Sequence, residues 1–98
     1  MKGRLVREWL LKAEEDYQAA LTLSRKRKQR FFNSVCFHSQ QAAEKYFKAY
    51  LSLQKVAYPK THDLKLLKNL SSKMEGDFEF LSDLAEALNP YSVEFRYP

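Results

Sequence analysis

Only two glycines, Gly3 and Gly76, and three prolines, Pro59, Pro90 and Pro98, interrupt the 98 residues. Long helices are therefore unopposed over most of the chain. β-Branched residues are scarce as well: Val6, Thr22, Val35, Val56, Thr61 and Val93 are the whole set, and no segment alternates strictly between apolar and polar. Strand signals are correspondingly weak, and an all-α fold is expected. The single cysteine, Cys36, has no partner for an internal disulfide and no second thiol for a structural zinc site, which suits a reducing interior. It reads as a small buried apolar residue. No apolar run approaches the roughly 20 residues a bilayer requires, and the opening MKGRLVREWL has no uninterrupted signal-like segment. A cytoplasmic protein with no membrane partner is expected. His38 and His62 are the only histidines, and there is no HExxH, no cysteine cluster and no Gly-rich loop. Metal hydrolysis and P-loop chemistry are thus not indicated, no spacing singles out a Ser-His-Asp set, and neither a metal nor a cofactor is expected.

What is present is enough for one small domain over residues 1–98, with 45% apolar residues to build its core. The stretch SVCFHSQQAAEKYFKAYLSL, residues 34–53, contains no Gly or Pro and carries two apolar rows: Val35, Ala42, Ala49 and Leu53, beside Cys36, Ala43, Phe47, Tyr50 and Leu51. A helix apolar over so much of its circumference belongs at the centre, with neighbours on two sides. Among those apolar residues sit Gln40, Gln41, Glu44, Lys45 and Lys48, at spacings that put Gln41, Lys45 and Lys48 on one stripe and Gln40, Glu44 and Lys48 on the next. Two readings stand for this set, a salt-bridged polar seam or a ligand site.

An amphipathic helix is predicted over residues 5–24, its inward face carrying Val6, Leu10, Ala13, Tyr17, Ala20 and Ser24, widened by Trp9 and Leu21. Asp16 lies at the edge of that face, and in an antiparallel hairpin it comes level with residues 41–45. An Asp16–Lys45 pair is therefore expected. The basic run Arg25, Lys26, Arg27, Lys28 and Arg30 comes next. It reads as a solvated loop opposing the helix dipole, or as an RNA or phosphate contact supported by Phe31 and Phe32; the two rings read first as anchors of the loop. Asn33 or Ser34 is expected to cap the central helix, and Thr61 or Asp63 a third helix with Leu64, Leu67, Leu70 and Met74 inward. A fourth is expected over residues 77–88, facing Phe78, Leu81, Leu84, Ala85 and Leu88 inward, and residues 91–98 are expected to be irregular. His62 reads as a cap or an interhelix hydrogen bond, or as a ligand group. Arg96 and Tyr97 offer a guanidinium fork to an anion, or Arg96 pairs with Glu44 or Asp63.

The segment CFHSQQAAEKYFKAYL, then PKTHDL, then LNPYSVEFRYP resembles the HEPN domain family of small helical proteins of bacteria and archaea. The likeness runs from AEEDYQAA of the first helix to the terminal RYP. It implies an up-and-down helical bundle of about four helices that lacks the family's final helix, and a homodimer acting beside a minimal nucleotidyltransferase in a toxin–antitoxin-like module. The family motifs fall on Gln41, Glu44, Lys45, Lys48 and Ala49, on Thr61, His62, Asp63 and Leu64, and on Arg96, Tyr97 and Pro98. Gln41, Glu44, Lys45, Lys48, His62, Asp63, Arg96 and Tyr97 are the expected nucleotide- or partner-binding residues. The ribonuclease branch of the family uses an Arg followed four to six residues later by a His near the domain's end. Arg96 is followed by Tyr97 and Pro98, so a non-catalytic binding module is expected, with no catalytic residues assigned. A metal-independent ribonuclease is the alternative, using Arg96 with His62 or His38. The aromatic residues exceed what a core of this size hides, which gives dimerisation a physical motive.

Overall fold

The structure, a computed structural model, describes residues 2–92. It is an all-α, up-and-down bundle. Helix α1 spans Lys2–Arg25, α2 spans Phe32–Leu53, α3 spans Leu64–Met74 and α4 spans Ser82–Leu88. Single 3-10 segments occupy Gln29–Phe31, Gly76–Leu81 and Asn89–Tyr91. Among the described residues there is no strand, and no helix is long and apolar enough to cross a membrane. The calls on residues 93–98, Arg96 and Tyr97 among them, lie outside the described residues.

Helices α1 and α2 form a long antiparallel hairpin, and α2 packs on its other side against α3 and α4. The two sides of α2 are built differently. Toward α3 and α4 it presents Phe47 and Leu51, which cluster with Leu64, Leu67 and Ala85 in a buried core, with Tyr50, Phe78 and Leu81 packed around it. Phe78 meets both Phe47 and Tyr50 edge-on, at 5.9 and 4.7 Å between ring centres. Burial of Leu51, Leu64 and Leu67, all fully enclosed, contributes about 1.5–3 kcal/mol each. Toward α1 the buried apolar residues are alanines: Ala13 and Ala20 on one helix, Ala42 and Ala49 on the other. Small residues at sevenfold spacing let the two backbones approach, and the positions between them fall to larger side chains.

The helix ends depart from expectation in two places. Helix α2 begins at Phe32, not at 34, because the preceding 3-10 turn already occupies amides of its first turn: Phe31 N–H bonds to Lys28 O at 2.9 Å and Phe32 N–H to Gln29 O. Asn33 and Ser34 therefore lie inside the helix and do not cap it. The fourth helix is α-helical only from Ser82, since Glu75 accepts from Asp77 N–H and starts a tighter turn, which Ser82 closes by donating to Glu79 O at 2.8 Å. Asp63 does cap α3, accepting from the amides of Lys65 and Leu66. Helix α2 ends in a Schellman arrangement, Lys55 N–H to Ser52 O and Val56 N–H to Leu51 O, with Lys55 at φ 62° where glycine is the usual occupant. Several residues expected to face inward do not: Leu10, Tyr17 and Ser24 are exposed because with only α2 beside it α1 has a narrow buried stripe, and Leu53 of α2, Met74 of α3 and Leu84 of α4 are exposed as well. Phe32 is exposed too and touches Tyr91 edge-on instead of anchoring the loop. Cys36 is half-buried; its surroundings push the thiol pKa up, and a hydrogen bond with Tyr91 works the other way.

Candidate functional site

The hairpin interface is read most simply as two interleaved series. On α1, Trp9, Ala13, Asp16, Ala20 and Leu23 alternate spacings of four and three; on α2, His38, Ala42, Lys45, Ala49 and Ser52 do the same. Alanine takes every second position. The residues between supply the polar groups, and they meet in two clusters.

The first cluster centres on Asp16. Its carboxylate, 13% exposed, accepts from Lys45 Nζ through one oxygen and lies 2.9 Å from His38 Nδ1 through the other. Lys45 is itself only 20% exposed. One turn away Tyr46 donates to Glu14 at 3.0 Å, and Gln18 does so at 3.0 Å. Those two hydrogen bonds, Gln18 first, lower the Glu14 pKa, while burial and then the Glu14 contact raise that of Tyr46.

The second cluster centres on Glu44, whose side chain is 3% exposed. Three donors fill its two oxygens: Lys48 Nζ at 3.1 Å, His62 Nδ1 at 2.8 Å and Gln40 Nε2 at 3.4 Å. A carboxylate taken this far out of water is tolerable only with such a complement. Gln40, fully buried, also donates to the His62 carbonyl at 2.9 Å and accepts from Gln41 Nε2 at 2.7 Å, and Gln41 reaches Ser92 O at 3.4 Å. Lys48 Nζ lies 5.2 Å from the centre of the Trp9 ring, a cation over an aromatic face. Trp9 Nε1 donates to Tyr58 Oη at 3.0 Å, and Tyr58 bonds Ser52 Oγ at 2.8 Å, which ties the connection after α2 to both arms of the hairpin.

Beside this second cluster opens a groove of about 390 Å³ lined by Trp9, Lys48, Tyr58, Pro59, Lys60, Thr61 and His62. His62 is 65% exposed. Because its Nδ1–H donates to Glu44, the neutral ring keeps its lone pair on Nε2, which has no protein partner among the described residues. Lys60 is exposed and has no carboxylate partner among them either. The groove therefore offers an ammonium, an imidazole nitrogen and hydroxyl groups around an indole, a set suited to an anionic, partly aromatic ligand.

The structure thus gathers Gln41, Glu44, Lys48 and His62 at one place and takes Lys45 to another, with Asp16. Asp63 joins neither, being occupied in capping α3 and in accepting from Asn89 Nδ2 at 3.0 Å, while Asn89 Oδ1 accepts from Leu64 N–H at 2.9 Å. Arg25, Lys26, Arg27, Lys28 and Arg30 lie at the opposite end of the hairpin, all exposed. Tyr58, Ser52 and Lys60 escaped the sequence reading, and Trp9 entered it only as widening the inward face of α1. The four-three spacing shared by Trp9 and Asp16 on one helix and by Lys45 and Ser52 on the other was available to find Trp9 and Ser52, and no such spacing marks Tyr58 or Lys60. Among the described residues no group of three or more His, Cys, Asp or Glu side chains is placed to hold a metal ion.

Compared with known proteins, residues 6–98 match the model of the HEPN domain family. No curated protein and no solved structure matches the chain.

Proposed function

The chain belongs to the HEPN domain family, and from that premise we propose that it is a non-catalytic binding module, a homodimer that works beside a minimal nucleotidyltransferase in a toxin–antitoxin-like system and takes a nucleotide in the groove beside α1. The observation that carries this reading is the division of labour around Glu44. Its carboxylate and the Lys48 ammonium are consumed by each other, by Gln40 and by His62, so they build the wall of the groove. Lys60 remains for the ligand's phosphates, and the outer nitrogen of His62, which carries a lone pair, accepts from a hydroxyl or amine of its sugar or base. Exposed Leu5, Leu10, Leu11 and Tyr17 on α1, with Leu53, Phe80 and Leu84 elsewhere, support the partner surfaces that a dimer and a second protein require.

Thermal unfolding with each of the four ribonucleoside triphosphates tests the groove. A nucleotide at about 100 times its dissociation constant adds about 2.7 kcal/mol, a rise in Tm of several degrees for a chain of this size. Lys60→Ala and His62→Ala should each shrink that rise. No rise with any nucleotide would retire the nucleotide reading. Sedimentation at micromolar concentration tests the dimer, and co-purification with a co-expressed neighbouring nucleotidyltransferase tests the partner.

A second reading, metal-independent ribonuclease, is favoured by one feature: a buried Glu44 holding His62 Nδ1 leaves Nε2 open to the groove, as a general base requires. Incubation with total RNA in the presence of a chelator decides it. Cleavage lost in His62→Ala would replace the first reading, and intact RNA would remove the second.

A further inference from the structure

The end of the hairpin opposite the Glu44 groove has its own chemistry. Between Asp16 and Glu44 there is no acidic residue, and that span holds Arg25, Lys26, Arg27, Lys28 and Arg30. Because α1 and α2 are antiparallel, the acid-free halves of both helices lie side by side and the five cations crown them. None of the five has a carboxylate partner among the described residues. Asp16 stands nine residues before Arg25, about 13 Å along the helix axis, which exceeds the screening length of about 8 Å at physiological salt. Along the hairpin itself the field at this end is therefore positive.

Beneath the crown is a recess of about 540 Å³ whose apolar floor is Leu23, Val35 and Phe32 and whose rim is Arg27, Lys28 and Gln29. Phe32 is 53% exposed and held edge-on by Tyr91, ring centres 6.3 Å apart. Arg27 adopts φ 52°, a left-handed conformation that glycine would take at less expense; Lys28 and Gln29 follow it along the recess, while the Arg30 guanidinium lies 5.0 Å from the centre of the Phe31 ring.

From this juxtaposition of a five-cation loop without a carboxylate partner among the described residues with an exposed ring over an apolar recess, we infer that residues 25–32 form a binding surface for single-stranded nucleic acid, phosphates on the cations and one unstacked base against Phe32. An acidic peptide satisfies the cations but leaves the apolar floor unmatched. A duplex satisfies them too, yet its bases are stacked away from the ring. The inference does not rest on the nucleotide groove or on cleavage, and its test reads binding alone.

The experiment is fluorescence anisotropy of a labelled oligouridine of roughly 12 nucleotides, within the span such surfaces cover, at several salt concentrations. The triple variant Arg27→Ala, Lys28→Ala, Arg30→Ala should bind about tenfold or more weakly at low salt. Its slope of log affinity against log salt should be shallower by about two, since each single-strand phosphate contact contributes about 0.7. Phe32→Leu should lose about fivefold or more at every salt concentration with its slope unchanged, and Phe32→Tyr, which keeps a ring, should bind as wild type does. Circular dichroism melts confirm that each variant is folded. Four results would each overturn the inference: no binding by the wild type, an unchanged slope in the triple variant, equal affinity for a duplex of the same length, or displacement of the strand by an equal concentration of polyglutamate, which would assign the surface to an acidic protein.

Discussion

The two ends of the α1–α2 hairpin treat their cationic groups in opposite ways. At the end that carries Trp9 and Lys48, every lysine on the interface has a carboxylate: Lys48 has Glu44, and a little farther along Lys45 has Asp16. At the end that carries residues 25–30, five cations share none. The difference lies in which groups the helix contact encloses. Alanine at 13, 20, 42 and 49 brings the backbones close enough that side chains from the intervening positions are taken partly out of water, and a charge there must be matched. The loop at the other end has no such neighbour, so its charges stay hydrated and available.

The sharpest way to break that comparison is to unmatch the enclosed end. Glu44→Ala leaves Lys48 nearly buried without its counter-charge, and urea unfolding should show a loss of about 3–5 kcal/mol; a loss under 1 kcal/mol would mean that water reaches Lys48 after all. Next comes the Asp16 cluster, which is more exposed. Asp16→Ala and Lys45→Ala should each lose about 1–3 kcal/mol, and the double variant should lose measurably less than the two together. Simple additivity would show that the contact carries no energy.

A smaller effect belongs to a pair of mixed character, buried Lys68 with exposed Glu79, 3.2 Å apart. The hydrogen bond and charge of Lys68 hold the Glu79 carboxyl below its ordinary value of 4.5. A carboxyl lowered in the folded state contributes stability that is full above its unfolded pKa and disappears as pH falls through the folded one. Glu79→Gln should therefore flatten the stability profile below about pH 4.5 and leave its shape near neutrality unchanged. A profile identical to wild type in acid would show that this contact adds nothing.

The smallest effect is expected at the open end. Replacing Arg25 or Lys26 by Ala should change stability by less than about 0.5 kcal/mol, and raising salt should favour the wild type slightly by screening the loop's self-repulsion. A loss comparable to that of Asp16→Ala would reveal an acidic partner for the loop and end the contrast between the two ends.

Much of this was legible before the fold was known. The scarcity of glycine and proline, the apolar circumference of residues 34–53, Pro59 in the connection and Asp63 before Leu64 led to four helices with α2 at the centre. Counting along an antiparallel hairpin was enough to set Asp16 opposite Lys45. Other features were readable in part or not at all. The Glu44–Lys48 pair is legible as an i, i+4 contact within one helix, but that the Lys48 ammonium lies under the Trp9 ring depends on where α1 crosses α2. That His38 shares Asp16 and His62 shares Glu44 depends on the same crossing and on how the connection after α2 folds back. The 3-10 entry to α2 displaced the expected caps because i to i+3 bonding consumed the amides first, a local competition that residue preferences do not resolve.

Taken alone, the order of residues determined that this chain is helical, where most of its helices break, and that its charges are concentrated in a basic loop and a mixed central stripe, because these follow from backbone sterics and periodicity. Only tertiary contact decided which charges are enclosed and which are free. Desolvation is a property of the neighbours a side chain is given, and the neighbours of Glu44, Gln40 and Lys48 come from three separate segments of the chain.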